Sequence, residues 1–190
     1  MDWDCFKTIS VGVTPFSTIT VVGYIYSVPS RLIGYDLKVD IHDKYIELRY
    51  GTKILETIPR CFSEDKHCIN YRHIVKHLLR KPGAFKNYQY KDALFPSVIF
   101  RKTYDALCAF NEQKGSRLYL ELLHFTALNN ETEVSIALEI ILSENEIPTK
   151  ENVKNLLDMP RTTHPKVTVL QPILNHYDSL LAFDIRSNYV

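Results

Sequence analysis

The chain has 190 residues, 45% of them hydrophobic and 24% charged, with a formal net charge of +1. These are ordinary globular values, so a buried core is expected and general disorder is excluded. No run of about 18 apolar residues is present, which excludes a membrane-spanning helix. The acidic start Met1-Asp2-Trp3-Asp4 has neither the basic opening nor the apolar middle of a signal peptide, so a cytoplasmic location is expected. Four cysteines, Cys5, Cys61, Cys68 and Cys108, are too few for a disulfide framework in a chain of this size, and reduced thiols are expected.

Residues 6–60 carry the period and punctuation of β-structure. The runs Ser17–Val22 and Tyr24–Val28 meet at Gly23, and Pro29 closes the second. Leu37, Val39 and Ile41 alternate with Lys38, Asp40 and His42 at period two; Tyr45–Tyr50 and Lys53–Ile58 follow, separated by Gly51-Thr52. Short β-branched and aromatic runs split by Gly, Asp and Pro are hairpin signals. About five such strands with no helix between them predict a small barrel of the SH3-like kind, because closure removes exposed edges.

The period then changes to 3.6. Over 70–81, Tyr71, Ile74, Val75, Leu78 and Leu79 form an apolar stripe, while Arg72, Lys76 and Arg80 line up at i, i+4 and i+8 opposite it. Pro82-Gly83 stops that helix, and 84–96 reads as an aromatic, basic connector. A second helix is predicted over about 97–111 with Ser97 as its cap, and a third over 116–128, apolar nearly all round and therefore the most buried. Asn129-Asn130 breaks it, and 131–143 resumes with Val134, Ala137, Leu138 and Ile141 inward and Glu131, Glu133 and Glu139 outward. A short helix follows Pro148-Thr149, and one more is expected at 173–181. The expected class is segregated α+β: a β-barrel over 1–62 and, over 63–190, a basic helix and helical bundle with an irregular tail.

Charge is strongly polarised along this order. Lys66–Lys102 holds nine cations against the single acid Asp92, a net +8, whereas 103–159 nets −6. Tyr71, Phe85, Tyr88, Tyr90 and Phe95 are interleaved with the cations. Cations for phosphates and aromatic faces for bases are the ingredients of a nucleic-acid surface. The DNA-binding set expected from this pattern is Arg72, Lys76, Arg80, Lys81, Lys86, Tyr88, Tyr90, Lys91, Arg101 and Lys102, the last two at the margin. Six neutralised phosphates would give a slope of about −5 in log affinity against log salt. The competing reading of the same charges is a solvated face, or one neutralised by the acidic helices folding back on it.

Catalytic patterns are missing from the sequence. There is no Gly-x-Ser-x-Gly elbow and no phosphate-cradling Gly-rich run. Cys61, His67, Cys68, His73 and His77 invite a zinc assignment, but six residues separate Cys61 from Cys68, wider than the two to four of a zinc knuckle. Asp36, Asp40, Asp43 and Glu47 read as solvated hairpin charges rather than a divalent-metal cluster. No catalytic residue, metal or cofactor is assigned, and a binding module is expected.

The runs Ile69-Asn70-Tyr71-Arg72-His73-Ile74, Leu79-Arg80-Lys81-Pro82-Gly83-Ala84-Phe85, Tyr88-Gln89-Tyr90 and Leu94-Phe95-Pro96 resemble the C-terminal half of IstA-type insertion-sequence transposases. Tyr26-Ser27-Val28-Pro29, Leu32-Ile33-Gly34 and Tyr50-Gly51 look like the small barrel that follows the catalytic domain in that family, and the similarity extends over roughly residues 15–181. The resemblance implies a bacterial, nucleoid-associated protein of DNA transposition, with double-stranded DNA, transposase subunits and a helper ATPase as partners. The family's helix-turn-helix and ribonuclease H-like domains would both precede residue 6, so its catalytic carboxylates have no counterparts here and catalysis by this chain alone is not expected. The alternative is a protein-interaction module with no direct DNA contact.

Overall fold

The computed structural model describes residues 6–62 and 64–158 of the chain. It is a mixed α/β structure, strands first and helices after. The strands are β1 (Lys7–Gly12), β2 (Thr18–Val21), β3 (Tyr24–Ser27), β4 (Asp36–Ile41), β5 (Tyr45–Tyr50), β6 (Lys53–Pro59) and the two-residue β7 (His67–Cys68). The helices are α1 (Tyr71–Leu78), α2 (Val98–Phe110), α3 (Gly115–Leu128), α4 (Glu131–Ser143) and α5 (Lys150–Asp158). All belong to one compact unit that ends at Asp158. The helix expected at 173–181 lies outside the described residues.

The strands form two sheets rather than one closed barrel. The larger has the order β1-β4-β5-β6, antiparallel throughout, with Val11 opposite Leu37, Val39 opposite Leu48 and Ile46 opposite Ile58. The smaller has the order β2-β3-β7: the β2–β3 hairpin places Ile19 opposite Tyr26, and β7 adds in parallel, with Ile25 opposite His67. Neither β1 nor β7 was among the five expected runs; the two residues of β7 carry no periodicity to read. Period-two alternation sends Ile19, Val21, Leu37, Val39, Ile46 and Leu48 into a shared core with Tyr26, whose hydroxyl accepts the Cys61 N–H at 2.9 Å.

The β2–β3 turn is Val22-Gly23, with φ of 49° and 80°. A two-residue hairpin turn with positive φ at both positions suits glycine, whereas a β-branched residue adopts it only under strain. β4 departs from the expected pattern at Asp40. This side chain is buried, accepts the Thr8 hydroxyl at 2.6 Å and pairs with Arg49, so it is an internal tie between β1, β4 and β5 and not a solvated hairpin charge.

The helices enclose a second core. α1 is capped by Asn70, whose side chain accepts the Arg72 N–H at 3.1 Å, and it buries Tyr71, Ile74, Val75 and Leu78. α3 is the most buried helix, with Tyr119, Leu120, Leu122 and Leu123 fully enclosed. Val134, Ala137, Leu138 and Ile141 of α4 face inward, and Asn130 caps that helix through the Thr132 N–H. Ser97 precedes α2 but its side chain makes no capping bond.

The connector between α1 and α2 winds through two 3-10 turns, Pro82–Phe85 and Asp92–Leu94. Their work is packing. Phe85, Phe95, Tyr104 and Tyr119 form a cluster in which every pair of ring centroids lies within 6.2 Å. Phe85 and Phe95 therefore belong to the helical core, although the sequence pattern set them beside the cations as faces for bases.

Candidate nucleic-acid interface

Helix α1 lies against the 3-10 turn Ser30–Leu32, which follows β3. The two elements leave an open groove of about 430 Å³, lined by Pro29, Ser30 and Arg31 on one side and by Arg72, His73, Lys76, His77 and Arg80 on the other. The 3.6-residue period sends Arg72, Lys76 and Arg80 outward while the apolar face of α1 holds the helix to its core. The turn contributes a fourth cation. Arg31 was missed by the sequence reading, because it is separated from α1 by about forty positions and only folding brings the two together.

The groove is anchored from beneath. His73 Nε2 stands 2.9 Å from Glu56 Oε1 on β6, and its Nδ1 lies 3.0 Å from both the hydroxyl and the carbonyl oxygen of Ser27 on β3. The Ser27 hydroxyl also accepts the Asn70 N–H at 2.7 Å. The start of α1 is thus tied to both sheets. His73 is a structural fastener, committed elsewhere than to a ligand in the groove.

Four cations in one groove repel each other unless an anion joins them. Arg72 is partly answered: Glu131 lies 3.8 Å away, and the Tyr71 hydroxyl, which donates to Glu131 at 2.7 Å, also meets Arg72 Nε at 3.5 Å. The Tyr71 contact and then the Glu131 charge hold the Arg72 guanidinium protonated more firmly than usual. Both ends of the ion pair are about half exposed, where such pairs contribute little. It is also the single ion pair joining the basic stretch to the acidic one among the described residues. Arg31, Lys76 and Arg80 make no ion pair among those residues. Among the described residues, ion pairing of the groove cations with the acidic helices is therefore confined to Arg72.

The remaining residues of the expected set divide by packing. Lys81, Lys86 and Lys102 are exposed but lie outside the groove lining. Arg101 covers the Phe95 ring at 4.9 Å and pairs with Asp92 at 2.8 Å. Lys91 is half-buried, its ammonium 4.5 Å from the centroid of the Tyr104 ring, so it caps the aromatic cluster. Tyr88 is buried and donates its hydroxyl to the Phe16 carbonyl at 2.8 Å, and it does not line the groove. Tyr90 is half-buried between His67 and Tyr88. Among the described residues no group of three or more His, Cys, Asp or Glu is placed to hold a metal ion. No helix among them is long and apolar enough to cross a membrane.

Fold and groove together define a mixed α/β protein with a preformed cationic groove. No protein family model matches the chain, and no solved structure matches it. It is similar to "Uncharacterized protein y4jA/y4nE/y4sE" of Sinorhizobium fredii, with 29% identity over 182 residues. That alignment covers 93% of this chain and 36% of the relative, so the chain spans about a third of the relative's length.

Proposed function

We propose that the described unit binds nucleic-acid backbone through the α1 groove, as a non-catalytic part of a DNA transposition protein of the IstA type. The observation that carries the binding reading is the convergence of Arg31, Arg72, Lys76 and Arg80 on one groove. The transposition context rests on the sequence resemblance, and in that reading the two sheets stand in the place of the family's SH3-like barrel. Double-stranded DNA supplies phosphates at a spacing that a row of cations one helical turn apart can follow. The reading assigns no reaction to this unit.

Protein docking is a second component of the same reading, favoured by apolar side chains left in solvent on the helices. Val98, Leu128 and Ile136 are each more than half exposed. Such side chains suit contact with a transposase subunit or a helper ATPase.

The test is a salt titration of binding to a labelled duplex. Four groove cations predict a slope of about −4 in log affinity against log salt. The variant Arg72→Glu, Lys76→Glu, Arg80→Glu should abolish binding while leaving the helical circular dichroism intact. A flat salt response, or undiminished binding by the triple variant, overturns the DNA reading. Loss of self-association or partner binding in that variant, with no DNA effect, supports protein docking alone.

A further inference from the structure

Beside the basic groove lies a second pocket of about 350 Å³, just above the lower limit of about 300 Å³ for small-molecule sites. Its walls include Phe16, Ser17, Ile74, His77, Leu78 and Tyr88. His77 lines both cavities, so the pocket opens alongside the row of cations. Phe16 is 43% exposed and meets Tyr88 edge-on, with centroids 6.1 Å apart. The Tyr88 hydroxyl fixes the Phe16 backbone, which holds the two rings as a preformed corner.

Ser17 supplies the polar element. It is 1% exposed and stands in the left-handed region at φ 60°. Its backbone is engaged, the N–H donating to Thr14 O and the carbonyl accepting from Val28 N–H. Its hydroxyl is buried with no hydrogen-bond partner among the described residues. A buried hydroxyl left unmatched on strained backbone in the pocket wall is costly, and a polar ligand atom would satisfy it once the Ser17 side chain turns toward the cavity.

We propose that this pocket takes one unpaired nucleobase of a strand whose phosphates lie in the basic groove. The inference rests on the nucleic-acid reading of that groove and deepens it. A nucleotide joins an anion to a flat, mostly apolar ring with polar edges, matching a cationic groove beside an aromatic corner that carries one free hydroxyl. Bases within a duplex are stacked and cannot enter, so the substrate class is DNA with an extrahelical or single-stranded nucleotide.

Fluorescence anisotropy on the full chain tests this with three probes: a short duplex, the same duplex with one bulged thymine, and the matching single strand. The bulged duplex should bind about tenfold more tightly than the intact one, the value of about one base–aromatic stack. Phe16→Ala should remove that preference and leave intact-duplex affinity unchanged. Ala84→Leu, which fills the pocket from another wall without truncating any ring, should do the same. Equal affinity of the native chain for bulged and intact duplex overturns the pocket assignment and leaves the groove reading standing. A preference that survives in both variants also overturns it. Failure to bind any probe overturns both.

Discussion

His73 Nε2 lies 2.9 Å from Glu56 Oε1, which fastens the helix bearing the basic row to the last strand of the larger sheet. The other ring nitrogen meets Ser27 on the smaller sheet, so a single imidazole joins three elements. His73 lines the groove beside Arg72 and Lys76, so its fastening helps to set the position of those cations relative to Arg31.

His73→Ala should therefore cost about 1–3 kcal/mol of stability, because Ser27 and Glu56 lose their shared partner in a half-buried setting. Denaturant unfolding measures the loss. A double-mutant cycle with Glu56→Ala should show the two residues coupled; additive losses would mean that the contact does not matter.

Arg31 and Lys91 should behave oppositely, although both are cations, because one lines the groove and the other caps the aromatic cluster. Arg31→Glu should weaken duplex binding and flatten the salt slope by about 1 to 2. Lys91→Met should leave the salt slope unchanged and lower stability by about 0.5–2 kcal/mol, since Lys91 covers the Tyr104 ring. The same anisotropy titration, with thermal melts alongside, distinguishes them.

Val22 holds a φ of 49° at an exposed hairpin position that favours asparagine or glycine. Val22→Asn should raise stability by about 1 kcal/mol by relieving that strain. A lower melting temperature in the variant would show that Val22 is held by something other than the turn.

Gly115 begins α3 where it crosses α2 closely. A Cβ there would lie 2.8 Å from the Cys108 Cα and 2.9 Å from its Sγ. Gly115→Ala should cost about 1–3 kcal/mol, because backbone rather than a flexible side chain must move. Equilibrium unfolding of the variant checks the figure.

Burial pushes the Tyr88 and Tyr119 phenols well above their ordinary value of 10.0. Tyr26 and Tyr71 shift the same way, with burial again the first cause. In the unfolded chain these groups lose their protons near pH 10, whereas the folded chain retains them. Their contribution is complete below about pH 10 and declines as pH rises toward the folded values. Alkaline titration followed by tyrosinate absorbance should show part of the signal appearing only with cooperative unfolding. Tyr119→Phe should shrink that late step, and should also cost about 1–3 kcal/mol by leaving the Leu94 carbonyl without its 3.0 Å partner.

The helices were legible because burial repeats every 3.6 residues over several turns. Tyr71, Ile74, Val75 and Leu78, and later Val134, Ala137, Leu138 and Ile141, follow their predicted inward faces. The outward row Arg72, Lys76 and Arg80 was read from the same periodicity. Five of the seven strand runs were legible for the same reason at period two, β1 and β7 being missed, but their partners were not. Pairing β1 with β4 and β3 with β7 joins distant segments, and local pattern carries no record of a distant partner.

Local chemistry thus settled where this chain alternates, turns and concentrates positive charge, since each depends on neighbours within a turn or a hairpin. Which aromatics are core and which line a pocket was decided by tertiary packing: Phe85 went inside with Phe95 packed half-buried against it, Tyr88 became a buried wall, and Phe16 came forward. The groove itself also belongs to that level, because Arg31 joins Arg72, Lys76 and Arg80 only once the turn after β3 meets α1. The apolar stripe of α1 is desolvated against the helical core, while His73 and Asn70 tie the same helix to the strands; the stripe specifies that it will be covered without specifying by what.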